Sequence, residues 1–347
     1  MGILYFLALF PFGLWGSSEV PVLPAQPLHG IYFTSNTIAH SRGDTILDQF
    51  SKVGGNMVIF DVQDANGHLA YPSNLPVSIQ LKNRGVQIPD LAETVKRLHA
   101  RNYYAVARFV LFKNPFIAAQ KPAWTIKRKG TGSPFVSRDG PVWLDPANPE
   151  LKAYLIDLAR EIALSGVDEV QFDYVRFPES GTARNAPYDY TDKKTFTREQ
   201  TILNFAKDAA AAVHFLGARV GLDIFGIVVW DNVSWKVIGQ NVPELAKIVD
   251  VMYPMPYPSH FGPGWGGHRN PADEPYFFVK ETTKKFVEQT KNSDVAIRPW
   301  LQGFALRVSR YTSEYVQEQI RGLTDIGIQE YAVWNARNEY GITFAGY

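Results

Sequence analysis

The residues best placed for chemistry are two carboxylates, Asp173 and Asp223, each at or near the end of a short apolar run. In residues 166–178, which read GVDEVQFDYVRFP, Val170 and Phe172 alternate with polar residues, so Asp173 falls where a predicted strand ends. Two carboxylates that face one cavity are what cleavage of a glycosidic bond requires. One acts in its ionised form as nucleophile or base, and the other acts in its protonated form as acid.

Neighbouring residues predict how these two carboxylates would be charged. Arg176 is expected to keep Asp173 ionised, and burial together with the charge of Asp173 is expected to raise the pKa of Asp223. Adjacent strands lie roughly 5 Å apart, which is compatible with the separation of about 5–5.5 Å found in a retaining pair. Asp61 and Glu179 are alternative acids. The structural alternatives are an Asp173–Arg176 ion pair that only fixes a loop, and an Asp223 that is merely hydrogen-bonded at the rim of the fold.

Strand-like and helix-like segments alternate along the chain and would position these groups. Eight apolar segments predict strands, at 30–34, 56–62, 103–111, 167–172, 219–224, 249–253, 295–301 and 330–334. Amphipathic helical patterns between them imply a parallel sheet with its outer face covered. The pattern predicts a single-domain (β/α)8 TIM barrel with longer insertions near 112–148 and 178–196. Only thirteen residues follow Trp334, so the last helix should be short or missing.

An open, doubly wound sheet is the alternative fold, but no glycine-rich phosphate loop follows the first predicted strand. In a barrel, the active site forms where the strands end at their carboxyl termini. Besides the two catalytic candidates, ten residues at these ends are predicted to bind substrate: Asp61, Tyr174, Arg176, Tyr253, Tyr257, His260, Trp300, Gln302, Trp334 and Asn335. For Asp61 the structural alternative is a helix cap, and for His260 it is a hydrogen-bonded loop histidine.

Composition excludes several other classes of function. The net charge is +1 and no basic run occurs, which argues against a nucleic-acid partner. The chain has no cysteine, so it can form neither disulfides nor thiolate metal sites. Its seven histidines form no HxH or HExxH pair, and no GxSxG elbow is present. We therefore predict no metal and no cofactor.

The N-terminus suggests export. Residues 1–18 read MGILYFLALFPFGLWGSS and predict a signal peptide, although no lysine or arginine precedes the apolar run. The run is too short to span a bilayer comfortably, so we expect no stable membrane insertion beyond this segment; a membrane-tethering anchor or a buried segment is the alternative. Residues 19–28 predict a proline-rich linker and 29–347 the barrel domain. The expected location is periplasmic, extracellular or on the cell surface.

Four motifs together resemble a known bacterial family of putative glycoside hydrolases that was first catalogued as a domain of unknown function. They are residues 166–178, GLDIFG at 221–226 with Trp230 after it, IGQNVPEL at 238–245 and VDVMYPMPYPSHF at 249–261. The resemblance runs from about residue 28 to 340. It implies a TIM barrel distantly similar to the α-amylase and α-galactosidase superfamily, in which the nucleophile is an Asp at the end of the fourth strand, matched here by Asp173.

Two positions depart from that superfamily pattern. Asp223 stands where α-amylase-type enzymes place a Glu at the end of the fifth strand, and Gln171 stands where they place an Arg two residues before the nucleophile. The first hypothesis is an exported glycosidase acting on a poly- or oligosaccharide. The second is a non-catalytic carbohydrate-binding barrel that lacks a working acid. The third is a metal-dependent polysaccharide deacetylase or lyase, with a cation held by carboxylates such as Asp61 and Asp64.

Overall fold

The computed structural model describes residues 26–347 except 139, 141, 183, 184 and 232. The predicted signal peptide, 1–18, and most of the predicted linker, 19–28, lie outside the described residues. Within the described part of the chain, no helix combines the length and apolarity needed to cross a membrane.

Eight barrel strands lie within a few residues of the segments that the apolar pattern predicts. They are β1 (His29–Phe33), β2 (Met57–Gln63), β3 (Tyr104–Val110), β4 (Glu169–Asp173), β5 (Arg219–Phe225), β6 (Val251–Met255), β7 (Ala296–Ile297 and Trp300–Gln302) and β8 (Tyr331–Trp334). Every pairing between them is parallel. The two predicted insertions meet in a short antiparallel pair, Lys127–Arg128 with Tyr188–Asp189.

Strand β7 joins the two ends of the sheet. Its first segment pairs with β6 and its second segment pairs with β8, and only Arg298 and Pro299 separate them. The N–H of Arg298 donates to the carbonyl of Met252 at 2.8 Å, and the carbonyl of Pro299 accepts from Ala332 N at 2.9 Å. Hydrogen bonding therefore continues past the interruption, and the predicted (β/α)8 TIM barrel is confirmed.

Helices lie between most of the strands. They are α1 (Ser35–Ile38), α2 (Ser41–Lys52), α3 (Pro76–Gln80), α4 (Leu91–His99), α5 (Pro115–Gln120), α6 (Pro149–Ala163), α7 (Arg198–His214), α8 (Ser234–Ile238), α9 (Val242–Leu245), α10 (Pro275–Thr290), α11 (Ser313–Thr324) and α12 (Gly341–Phe344). Local sequence fixes the start of the long helices. The side chain of Asn148 accepts from Leu151 N ahead of α6, and a capping box between Thr197 and Gln200 opens α7.

The last helix is short, as predicted, and the C-terminal residues cover that part of the barrel. The ring of Phe344 stacks on Phe50 with centroids 5.5 Å apart. Tyr347 then packs 5.7 Å from Tyr331 and 6.2 Å from His29, which begin β8 and β1. Aromatic rings of the C-terminal residues thus pack over the junction between the first and last strands.

The barrel interior carries buried charge at both ends. Glu169, Gln171 and Asp173 alternate along β4 and therefore share one face of the strand. At the amino end Glu169 bonds Arg298 at 3.1 Å, and at the carboxyl end Asp173 bonds Arg108. Strand β4 thus contributes to two separate ion clusters, of which the carboxyl-terminal one coincides with the predicted site.

Candidate active site

Arg108 joins three carboxylates at the carboxyl ends of four neighbouring strands. Its side chain is almost fully buried, with the residue 3% exposed. Nη1 donates to Asp61 Oδ1 at 2.6 Å, while Nε donates to Asp173 Oδ2 at 3.1 Å and Nη2 donates to the same oxygen. Asp223 Oδ2 lies 3.9 Å from Nε. Strand register explains the arrangement, since Arg108 on β3 lies directly opposite Asp61 on β2.

The cation against Asp173 is thus Arg108 and not Arg176, contrary to the sequence-based expectation. Strand β4 ends at Asp173, and Tyr174 takes a φ of +54°, a left-handed conformation that non-glycine residues seldom adopt. This turn carries the chain out of the strand direction. Arg176 consequently reaches the rim, where Nη2 lies 3.1 Å from Glu179 Oε1.

Asp173 and Asp223 lie in contrasting electrostatic environments. Asp173 accepts two guanidinium N–H groups on one oxygen and the N–H of Tyr174, at 2.6 Å, on the other. Hydrogen bonds from a guanidinium are charge-assisted and stronger than those between neutral groups. Asp223 is 1% exposed, and burial raises its pKa well above the ordinary value, an effect that the charge of Asp173 strengthens and Arg108 only partly opposes. The site therefore pairs one carboxyl group that contacts a guanidinium closely with a second whose protonated form burial favours.

The two carboxyl groups lie close enough to act on one bond. Asp173 Oδ2 is 3.1 Å and Asp223 Oδ2 is 3.9 Å from the same Arg108 Nε, so these oxygens are at most about 7 Å apart. That limit admits the separation of about 5–5.5 Å of retaining glycosidases and leaves only the lowest part of the inverting range, about 6.5–9.5 Å. Trp300 fixes the position of Asp223 by donating its Nε1–H to Oδ1 at 2.7 Å.

A cavity of about 170 Å³ opens above these carboxylates. Its wall includes both predicted catalytic residues and six of the ten predicted binding residues: Tyr174, Arg176, Tyr257, His260, Trp300 and Trp334. Arg108, Phe225 and Met255 complete the wall. Burial, and then the nearby charges of Asp223 and Asp173, raise the pKa of Tyr257, so its hydroxyl stays protonated and can donate a hydrogen bond toward this space.

Aromatic rings hold the guanidinium of Arg108 in place. Trp334 stacks on Tyr32 with ring centroids 3.9 Å apart, and the Arg108 guanidinium lies 4.7 Å from the centroid of Trp334. Trp300 packs nearly perpendicular to Trp334 at 5.6 Å. The result is a wall of flat apolar surface beside the carboxylates, which suits the face of a sugar ring.

The other four predicted binding residues do not line this cavity. Tyr253 faces the barrel interior nearer its amino end, where its hydroxyl donates to Glu169 at 2.6 Å. Gln302 accepts from Ser259 N at 3.1 Å and so fixes a loop. Asp61 accepts a hydrogen bond from Tyr32 Oη at 2.5 Å. Asn335 Nδ2 donates to the carbonyls of Gly303 and Glu339.

Asn335 does line a neighbouring cavity of about 770 Å³, which shares Trp334 with the first.

The metal hypothesis has no comparable support in the geometry. Asp64 accepts from the backbone N–H groups of Asn66 and His68 and closes its own loop. Over the described residues, no three side chains of His, Cys, Asp or Glu gather into a metal-binding group.

Sequence reasoning gave no role to Arg108 or to Tyr32, which the structure places at the centre of the site. A signal for Arg108 exists in the alternation along β3, where Tyr104, Val106 and Arg108 share one face. A lone charge on the interior face of a fully buried strand requires a partner. Arg108 lies opposite Gln171 in the register between β3 and β4, two residues before Asp173.

Comparison with solved structures supports the fold. The glycoside hydrolase domain of PgaB (BpsB) from Bordetella bronchiseptica is 15% identical, with a TM-score of 0.65 over 89% of this chain and 94% of that chain. The catalytic domain of β-amylase from Paenibacillus polymyxa is 11% identical, with a TM-score of 0.54 over 88% and 92% of the two chains. TtGalA, an α-galactosidase from Thermus thermophilus, is 14% identical, with a TM-score of 0.54 over 92% and 60%.

At these identities the similarity is one of fold, and the three neighbours are TIM-barrel glycoside hydrolases. A search of curated proteins found no match. The family evidence comes instead from the sequence, since residues 30–340 match the family described as "putative glycosyl hydrolase domain". That match spans all eight strands of the barrel and both candidate catalytic carboxylates, and the chain therefore belongs to this glycosyl hydrolase family.

Proposed function

We propose that this protein hydrolyses glycosidic bonds of a poly- or oligosaccharide, with Asp173 as nucleophile and Asp223 as acid and base. The observation that carries the proposal is the contrast between the two carboxyl groups. Two guanidinium N–H groups contact Asp173, whereas burial favours the protonated form of Asp223. Both groups line one cavity, as the reaction requires.

The proposed reaction has two steps and retains the anomeric configuration. Asp173 attacks the anomeric carbon, while Asp223 gives its proton to the departing glycosidic oxygen, and a glycosyl–enzyme ester forms. Asp223, now ionised, then takes a proton from water, and that water displaces Asp173 from the sugar. The limit of about 7 Å between the carboxylate oxygens supports the retaining route.

The aromatic wall would orient the sugar. Trp300 and Trp334 offer apolar faces on one side of the carboxylates, and Tyr174 lies on the rim of the same cavity. His260 lies at the exposed mouth of the cavity, and partial desolvation by its surroundings, followed by the charge of Arg307, lowers its pKa. Near neutral pH its imidazole is thus uncharged and suited to a hydrogen bond with a sugar hydroxyl.

The test is hydrolysis across a panel of bacterial and plant polysaccharides by the wild type and by Asp173→Asn. The variant should lose about a thousandfold or more in rate because it lacks the nucleophile. Asp157→Asn, which removes an exposed carboxylate on α6, is the matched control and should keep full activity. A folded Asp173→Asn protein that cleaves as fast as the wild type would refute the assignment.

Product stereochemistry tests the mechanism separately. NMR of the first sugar released should show the anomeric configuration of the substrate. The opposite configuration would mean that water attacks directly and that Asp173 acts as a base. Should both proteins bind the polysaccharides without cleaving any of them, the non-catalytic carbohydrate-binding barrel would be the better description.

We also propose that the protein acts outside the cytoplasm, because residues 3–15 form an apolar run of signal-peptide length. Fractionation of cells that produce the full chain, or a chain starting at residue 19, tests this. Only the full chain should leave the cytoplasm, and equal distribution of both would overturn the proposal.

A further inference from the structure

A third cavity, on the side of Arg176 and His260, also adjoins the candidate active site. This outer cleft has a volume of about 720 Å³ and lies between the loops that follow β3, β4, β6 and β7. The cavity of about 170 Å³ above the carboxylates is called the inner cavity here. The two cavities share four wall residues: Tyr174, Arg176, Phe225 and His260. A chain of sugar units could therefore place one unit at the carboxylates and the next unit in the outer cleft.

Positive charge is concentrated in the outer cleft. Arg138, Arg176 and Arg307 line it from the connections that follow β3, β4 and β7, and among the wall residues that the structure describes Glu179 is the one carboxylate. The whole chain is almost neutral, with 35 basic and 34 acidic residues. The excess of positive charge is therefore a local property of the cleft, and it attracts anions.

Arg176 is held in place at the junction of the two cavities. Its guanidinium lies 5.1 Å from the ring centroid of Trp143, 5.4 Å from that of Tyr174 and 5.2 Å from that of Phe225. Only 12% of its side chain is exposed. A guanidinium fixed between rings loses little conformational entropy when it binds a ligand, and its planar N–H groups match a carboxylate.

A carboxylate already occupies part of this position. Glu179 Oε1 lies 3.1 Å from Arg176 Nη2, and the Glu179 side chain is 53% exposed. Because the Glu179 carboxylate is half-exposed, water can replace its contact with Arg176 at little cost, so a ligand carboxylate can displace Glu179 or bind beside it. The contact shows that the guanidinium of Arg176 can bind a carboxylate that approaches from the cleft side.

Arg307 completes the opposite wall. It is exposed, and Nη1 donates to the carbonyl of Ser259 at 3.2 Å, which anchors the side chain beside His260. The cleft thus offers two kinds of binding group. The imidazole of His260, uncharged near neutral pH, can form a hydrogen bond with a hydroxyl, and the arginines offer positive charge for an acid.

We propose that the substrate is an acidic polysaccharide, and that a carboxylate-bearing sugar unit binds in the outer cleft next to the bond that is cleaved. This inference rests on the proposed glycosidase function and names its substrate class. Arg176 would bind the carboxylate, while Arg138 and Arg307 would add attraction from the rim.

Binding to matched polymers tests the inference without requiring turnover. The probes are polygalacturonate, alginate and hyaluronan, each beside its carboxyl-reduced, neutral form. They are titrated into the full-length Asp173→Asn protein at low salt, and at least one acidic polymer should bind about tenfold or more tightly than its neutral form. The preference should shrink as salt is added, since the rim charges are exposed.

The double variant Arg138→Gln/Arg307→Gln, in the same background, should lose a clear part of that preference, because it removes the attraction that the rim adds to Arg176. The control Arg160→Gln/Lys291→Gln removes two charges from exposed helix surfaces elsewhere and should keep it. The inference is wrong if no acidic polymer binds better than its neutral form, or if the cleft variant keeps the preference of the control.

The two proposals can fail independently. Cleavage of neutral polysaccharides by the wild type, without any preference for acidic polymers, would leave the glycosidase function and overturn the substrate class. Preferential binding of an acidic polymer that the wild type never cleaves would support the cleft as a binding site and overturn hydrolysis.

Discussion

Arg108 lies where three carboxylates would otherwise repel one another inside the barrel. It bonds Asp61 and Asp173 directly and has Asp223 within 3.9 Å. Burying the guanidinium and the carboxylates removes their hydration, and this cost is offset only while each charge has its partner. A charge left unpaired in the interior destabilises the fold. Arg108 is thus both a structural and a functional residue.

Replacing Arg108 by Gln should lower the free energy of unfolding by about 3–5 kcal/mol, because Asp61 and Asp173 remain buried without a counter-charge. Denaturant unfolding at pH 7 measures this. The matched control is Arg160→Gln, which breaks a pair with the exposed Asp157 and should cost about 1 kcal/mol or less. Equal losses in the two variants would contradict the central position of Arg108.

The raised pKa of Asp223 predicts how stability changes with pH. The folded protein keeps the Asp223 proton above about pH 4, where the unfolded chain releases it, so the wild type loses stability as the pH rises toward the folded pKa. The slope due to this one group is at most about 1.4 kcal/mol per pH unit. Asp223→Asn lacks the slope, and its stability relative to wild type should grow from pH 4 to pH 7.

Asp231→Asn serves as a control of opposite sign in the same urea unfolding series. Burial disfavours the ionised form of Asp231, but hydrogen bonds from Ser234 and from Val233 N outweigh burial and lower its pKa. The wild-type stabilisation from Asp231 is present above about pH 4 and is lost as the pH falls. Parallel curves for wild type and Asp223→Asn would show that Asp223 titrates normally.

Strand β7 shows how one element closes the fold. Arg298 separates its two segments, and its guanidinium bonds Glu169 at 3.1 Å, Tyr253 at 2.6 Å and Glu330 at 2.9 Å. These partners lie on β4, on β6 and just ahead of β8. One side chain therefore ties the interruption in β7 to three other parts of the barrel.

Arg298→Met should destabilise the protein by about 3–5 kcal/mol, since Glu169 would be left charged in a fully buried position. Adding Glu169→Gln to this variant should restore part of the loss, because the uncompensated charge disappears. Denaturant unfolding of both single variants and the double variant gives the coupling between them. Strictly additive effects would mean that the buried pair does not act as a unit.

Much of this element structure is predictable from sequence, because apolar strands and amphipathic helices alternate with a clear period. Strand β4 and its terminal Asp173 follow from such a pattern, as does the short end of the chain after Trp334. The partner of Asp173 does not follow from it. The pairing of Asp173 with Arg108 depends on the register between strands. The position of Arg176 away from Asp173 depends on the positive φ of Tyr174, which the sequence does not indicate because no glycine stands there.

Across the whole molecule, the candidate site and the residues that close the barrel occupy different ends. The carboxylates lie where the strands finish, whereas Tyr347 packs against His29 and Tyr331 where β1 and β8 begin. Stability can therefore be altered at one end with the chemistry at the other end left intact.

Tyr347→Ala should lower the free energy of unfolding by about 1–2 kcal/mol, as expected for removing a half-buried aromatic ring. At temperatures well below unfolding, its rate on any substrate of the wild type should be unchanged. Thermal unfolding and initial rates measured on one preparation check both statements. A fall in rate with no fall in stability would show that the C-terminal ring influences the site.

The closure through Arg298 also bears on self-association. Open sheets present unpaired backbone groups at their outer strands, and these recruit strands of other molecules into aggregates. Here the first and last partners in the hydrogen-bonded ring are pieces of the same strand, so the folded barrel offers no such template. Local opening at Arg298–Pro299 would expose two templates at once, on β6 and on β8. The buried ion pairs of Arg298, which stabilise the closed barrel, should therefore also keep the edges of β6 and β8 from pairing with other molecules.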